Sequence, residues 1–136
     1  LKYQDKSFYI LDDSYNSSPA SLKSSLLHLE KKRIKGKKIL ILGDMKELGE
    51  SSLKLHLEFV KLIRKMDIDF LVTIGKYMKA LNNALPTQIK KYHEDKVENI
   101  SPMIKKNLSE GDLIFIKGSN SIKLNYVVND LTKENK

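Results

Sequence analysis

At 136 residues, 40% of them hydrophobic and 31% charged, the chain has the size of one domain with a real core, not of a disordered segment or two domains. It contains no cysteine, which excludes a disulfide framework, a thiolate metal site and a cysteine nucleophile, and no apolar run approaches the roughly 20 residues of a membrane span. Lys and Arg outnumber Asp and Glu by 25 to 17, a net charge of +8, yet only Arg33 and Arg64 are arginines, and lysines scattered along a chain are poorly suited to reading bases, so no nucleic-acid partner is expected.

The opening residues, Leu1 to Lys6, lack the apolar stretch of a signal peptide. A cytoplasmic, metal-independent domain is expected. The chain begins without Met and enters a strand-like run almost at once, which points to a domain of a longer protein. Ser7 to Leu11 is that run, ending at Asp12-Asp13. Pro19 to Lys32 places Leu22, Leu26, Leu27 and Leu29 near one helical face, with Pro19 suited to the first turn. Gly36 breaks the pattern, and Lys38 to Leu42 reads as a buried parallel strand closed by Gly43.

Ser51 or Ser52 caps a helix expected to reach Lys65, with Leu53, Leu57, Val60, Leu62 and Ile63 as its apolar positions. Phe70 to Ile74 is the next strand, ended by Gly75. A short helix is expected from Met78 to Leu85, stopped by Pro86, and then a strand near Ile89 to Tyr92. Val97 to Leu108 reads as a helix, Leu113 to Ile116 as the last strand and Ile122 to Leu131 as a closing helix. Such alternation predicts an α/β fold of three layers, Rossmann-like, with a mostly parallel sheet and helices on both faces. Ligands of such sheets bind beyond the carboxyl ends of the strands.

Three polar segments belong at that end. Asp12 to Ser18, before Pro19, packs two carboxylates, an amide and several hydroxyls into a strand-to-helix turn. Acids placed there accept hydrogen bonds from ribose hydroxyls or hold a cation, and they also suit a helix amino terminus with no ligand at all. Gly43 to Glu50 brackets charged residues between glycines, as a ligand-facing loop or a solvated turn. Lys117 to Ser121 is a basic, hydroxyl-rich turn before the last helix, suited to a carboxylate or phosphate. His28, His56 and His93 each lack neighbours in sequence that would mark a ligand. No Gly-x-x-x-x-Gly-Lys-Ser/Thr and no Gly-x-Gly-x-x-Gly occurs.

An acidic pair after the first strand and a lysine after the last also occur in response-regulator receiver domains. That family carries its phosphate-accepting aspartate at the end of the third strand, where Phe70 to Gly75 offers no carboxylate. A stand-alone anion-binding module is the other alternative.

Taken in order, the segments resemble the carboxyl-terminal domain of the Mur ligase family, and within it the MurF branch. The branch pattern runs Asp-Asp-Ser-Tyr-Asn-Ala-Asn-Pro, then Leu-Gly-Asp-Met-x-Glu-Leu-Gly, then a histidine. It ends with Gly-Asp, an apolar strand and Lys-Gly-Ser-Arg-Ser. This sequence supplies Asp12 to Pro19, Leu42 to Gly49, His56 and Gly111 to Ser119, with His93 also in place. Two departures matter: Ser18, where the family has Asn, and Asn120, where the family has Arg.

The resemblance implies a domain spanning residues 1–136 of an ATP-dependent amide ligase of peptidoglycan synthesis. Such a ligase adds D-alanyl-D-alanine to a UDP-muramoyl-tripeptide through an acyl phosphate, or acts as a related enzyme of altered specificity. The UDP-binding and central ATPase domains, with the main ATP and Mg²⁺ sites, would lie outside this chain, which would close over the nucleotide as a monomer without catalytic residues or a metal of its own. Carried over by position, Asp13, Tyr15 and Asn16 would approach the nucleotide, with Asp13 on the ribose. Lys117, Ser119 and Ser121 would hold the dipeptide carboxylate at the amino terminus of the last helix. Asp44 and Glu47 would orient its ammonium group or support the loop.

Overall fold

A two-stranded antiparallel ribbon, β1 (Lys2–Tyr3) and β2 (Lys6–Ser7), leads into the domain. After it come β3 (Tyr9–Asp13), α1 (Pro19–Lys31), β4 (Lys38–Gly43), α2 (Ser52–Leu57), α3 (Phe59–Lys65) and β5 (Phe70–Ile74). Then follow α4 (Lys76–Ala84), β6 (Lys91–Glu94), α5 (Ile100–Asn107), β7 (Leu113–Lys117) and α6 (Asn125–Lys133). The computed structural model describes residues 2–3, 6–14 and 17–133. β3, β7, β4, β5 and β6 lie side by side in that order, and every pairing between them is parallel.

Strand alternation sorts the core into two layers. Leu40 and Leu42 of β4 turn towards Leu22, Leu26 and Leu29 of α1, Ile63 of α3, and Met78 and Leu81 of α4. Ile39 and Ile41 turn the other way, towards Ile100 and Ile104 of α5 and Val127 and Leu131 of α6. Because β4 is covered on both sides, its whole run is apolar rather than alternating. Each of these four side chains contributes about 1.5–3 kcal/mol by leaving water, so a charged residue at any of them would break the sheet centre.

Polar residues close the helix ends. Ser18 and Ser21 form a reciprocal capping box, Ser18 Oγ accepting from Ser21 N–H and Ser21 Oγ from Ser18 N–H, while Pro19 fills the first turn. Serine is among the residue types that cap a helix amino terminus best. The buried ammonium of Lys38 donates to the carbonyls of Leu29 and Glu30 at the carboxyl end of α1, and Lys91 does the same for Asn82 and Leu85 at the end of α4. Both lysines favour the negative end of a helix dipole.

At the amino edge of the sheet, fully buried Asp112 accepts from the N–H groups of Lys37 and Ser109 and pairs with the Lys37 ammonium at 2.9 Å. A Cβ on Gly36 would lie 2.5 Å from this carboxylate. The stretch expected as one helix from Ser51 or Ser52 to Lys65 is interrupted at Glu58, whose own backbone stays helical at φ −61°, ψ −21°. No helix among the described residues is long and apolar enough to cross a membrane.

Candidate functional site

All five strands of the main sheet point the same way, so the segments that follow them share one edge. The order β3-β7-β4 makes the three polar segments immediate neighbours there. Lys117 is the register partner of Asp13 on one side and of Leu42 on the other. The Ser119 N–H donates to the Asp44 carbonyl at 3.1 Å, which stitches the second segment to the third. A Cβ on Gly118 would lie 3.1 Å from the Gly43 Cα and 2.7 Å from a Leu124 methyl. Glycine is the residue that lets these turns approach so closely.

In the first segment, Asp12 Oδ1 accepts from Ser14 N–H at 3.0 Å and shapes the turn. Asp13 Oδ2 lies 2.5 Å from Lys117 Nζ and 3.4 Å from Ser25 Oγ. The Asp13 side chain is 46% exposed, whereas that of Lys117 is 2% exposed. Tyr15 and Asn16, expected near the nucleotide, lie outside the described residues.

Lys117, expected to hold a dipeptide carboxylate, is buried: its side chain is 2% exposed and its ammonium pairs with Asp13. Asp44, expected to orient an ammonium group or to support its loop, is buried as well. It is 1% exposed, and its oxygens accept from the N–H groups of Tyr77 and Met78. That makes it the cap of α4, delivered from the neighbouring strand, and gives it the loop-supporting role rather than contact with an ammonium. Glu47 stands exposed in the same loop with a left-handed backbone at φ 62°.

Ser119 and Ser121 bring their hydroxyls within 3.0 Å of each other. They occupy and flank a 3₁₀ turn, Asn120–Ile122, rather than the amino terminus of α6, because Lys123 at φ 63° separates that turn from the helix. The helix-dipole contribution expected at these serines therefore falls away.

Two histidines have defined settings. His56 is fully buried, accepts the Met45 N–H on Nε2 at 3.0 Å and has Nδ1 2.6 Å from the Ser52 carbonyl. These partners require the neutral tautomer with its proton on Nδ1. The ring stacks on Tyr77 with centroids 5.0 Å apart, so His56 pins the Gly43–Glu50 loop against α2 and α4. His93 lies at the end of β6, with Nδ1 2.8 Å from Thr73 Oγ1, which also receives a hydrogen bond from Asn82. Burial lowers its pKa below the ordinary value, against the opposing pull of Asp95. Thr73 and Asn82 escaped the sequence reading because their only signal there is a polar residue at an otherwise apolar position.

Chemically, this edge offers an exposed carboxylate beside a buried ammonium, a pair of hydroxyls and a backbone turn fixed by glycines. Asp13 suits the hydroxyls of a ribose. Among the described residues no three acidic or imidazole groups converge as metal ligands.

A family model described as "Mur ligase, glutamate ligase domain" matches residues 1–120. The UDP-N-acetylmuramoyl-tripeptide–D-alanyl-D-alanine ligase of Bacillus subtilis (strain 168) is 36% identical over 132 residues, covering 93% of this chain and 28% of that protein. The ligase of the same name from Escherichia coli (strain K12) is 30% identical over 124 residues, covering 90% and 26%. Among solved structures, the MurF ligase of Thermotoga maritima in complex with ADP superposes with a TM-score of 0.79 at 26% identity, covering 98% of this chain and 30% of that one. The chain thus spans less than a third of the length of these relatives. With its fold, its three strand-end segments and this match over most of its length, the chain belongs to the Mur ligase, glutamate ligase domain family.

Proposed function

We propose that this chain is the carboxyl-terminal domain of a longer ATP-dependent ligase that adds D-alanyl-D-alanine to a UDP-muramoyl-tripeptide in peptidoglycan synthesis. In this reading the tripeptide carboxylate takes the γ-phosphoryl group of ATP, releasing ADP. The dipeptide amine then attacks the acyl carbon and loses a proton as phosphate leaves. A preceding domain supplies the phosphate-binding loop and Mg²⁺, whose charge would offset the phosphates. The protein acts in the cytoplasm as a monomer.

The residues of this chain bind, orient and exclude water. Asp13 accepts from ribose hydroxyls, with Tyr15 and Asn16 beside the same nucleotide. Ser119 and Ser121 donate to the dipeptide carboxylate, and exposed Glu47 draws its ammonium. Asp44 and His56 act behind them by holding the loop shape. Closing this edge over the nucleotide keeps water from the acyl phosphate.

The observation that carries the reading is the meeting of segments 12–18, 43–50 and 117–121 at one edge of β3, β7 and β4, in a fold shared with an ADP-bound MurF ligase. The test is ADP release by the full-length protein containing this chain. Sustained release over many turnovers is expected only when UDP-muramoyl-tripeptide and D-alanyl-D-alanine are both present, with a pentapeptide product of matching amount. Failure of the dipeptide to stimulate ADP release, or its replacement by a single amino acid, would overturn the assignment.

A further inference from the structure

Asp13 and Lys117 sit opposite each other on adjacent parallel strands, and their burial differs sharply: 46% exposure for the carboxylate side chain against 2% for the ammonium side chain. The difference sets their roles. Lys117 belongs to a strand buried along its whole length and serves as a fixed charge inside the domain. Asp13 stands at the surface, where a ligand reaches it. Lys117 and Ser25 both approach Oδ2, while Oδ1 receives no hydrogen bond among the described residues.

We propose that Lys117 is a positioning residue for the nucleotide, acting through Asp13 and not touching the dipeptide. The inference rests on the ligase reading above and changes which substrate Lys117 serves. Two physical effects support it. An exposed carboxylate loses rotamer freedom when it binds a hydroxyl, and a charge-assisted hydrogen bond from an anchored ammonium removes much of that loss beforehand. A bare carboxylate beside a polyphosphate is also repelled by it, and the ammonium offsets that repulsion where water is excluded on closure.

The experiment uses the full-length protein with Asp13→Asn, Lys117→Met and the double substitution. ADP affinity is measured by calorimetry, and KM for ATP and for D-alanyl-D-alanine by steady-state kinetics. Lys117→Met is expected to weaken ADP by about tenfold, as for a loosened charged contact, while the dipeptide KM changes less than about twofold. The double variant should bind ADP no more weakly than the weaker single variant, because the two residues act as one unit. Lys117→Gln keeps a donor for Asp13 without the charge, and gives the same comparison if the methionine variant does not fold.

A raised dipeptide KM with unchanged ADP affinity would overturn the inference and make Lys117 a direct ligand. Multiplying losses in the double variant would overturn it too, by showing independent action. Failure of the ligase reading is separate: there the parent protein itself releases no ADP in response to the dipeptide.

Discussion

The carboxylate of Asp44 occupies the space that a side chain on residue 75 would need. Gly75 joins β5 to α4 at φ +109°, and a Cβ built there would collide with that carboxylate. The same oxygens accept the N–H groups of Tyr77 and Met78 at 3.1 and 2.8 Å. Gly75→Ala should therefore cost about 2–4 kcal/mol, from the strained backbone and the displaced cap together. Asp44→Asn keeps an acceptor oxygen and should cost only about 1 kcal/mol. Urea denaturation of both variants checks the order, and an alanine variant as stable as the parent would contradict the contact.

A gain is expected at Ser101. The residue is fully buried in α5, and its hydroxyl has no hydrogen-bond partner among the described residues. Ser101→Ala removes a desolvated hydroxyl and introduces a better helix former, so stability should rise by about 1 kcal/mol. A drop in the denaturation midpoint would mean that the hydroxyl has a partner in solution.

Long apolar runs made the sheet legible in the sequence. Lys-Ile-Leu-Ile-Leu and Phe-Leu-Val-Thr-Ile became β4 and β5 at nearly the expected bounds. Elements decided by tertiary contact did not show. β3 begins at Tyr9 and runs to Asp13 because Ile116 and Lys117 pair with its acidic end, and no local propensity favours aspartate in a strand. The two-residue strands β1 and β2 are too short to carry a period. α6 starts at Asn125 rather than Ile122 because Lys123 adopts φ 63°, and a lysine gives no sign of that in sequence. For the site, motif order located the edge but not the burial within it. The sequence reads Lys117 and Asp44 among the substrate-side residues, and only the folded domain buries both.

The Asp112 clasp lies at the opposite edge from the site. Asp112→Ala would leave the N–H groups of Lys37 and Ser109 without their acceptor, and the loss should be about 3 kcal/mol or more. In the full-length protein its KM values for ATP and dipeptide should nevertheless stay close to the parent's at a temperature where both are folded. A selective rise in either KM would show that the amino edge communicates with the site.

His93 should make stability fall on acidification. Burial lowers its folded-state pKa below the ordinary 6.5, so between that depressed value and 6.5 the unfolded chain binds more protons than the folded one. Stability is then fully present above about pH 6.5 and declines as pH falls through that window. The charged groups around the ring are Asp95, Lys79, Asp44 and Glu94. His93→Gln should reduce the pH dependence between about 5 and 6.5. A parent chain whose stability is constant across that window would refute the account.

The 136-residue chain should fold by itself and have no ligase activity. Folding follows from the core. Both faces of β4 are covered by side chains that this chain supplies, Leu22, Leu26 and Ile63 on one and Ile100, Ile104 and Val127 on the other. Inactivity follows from the chemistry: the sequence contains no phosphate-binding loop, and Asp13, Ser119 and Ser121 can hold parts of substrates but cannot polarise a γ-phosphoryl group for transfer. Urea unfolding should give one cooperative transition by circular dichroism and by tyrosine fluorescence. Mixed with ATP, Mg²⁺, UDP-muramoyl-tripeptide and D-alanyl-D-alanine, the chain should release no phosphate above background. Turnover under those conditions would mean that this edge carries phosphoryl-transfer chemistry of its own, and the division of labour proposed for the longer protein would be wrong.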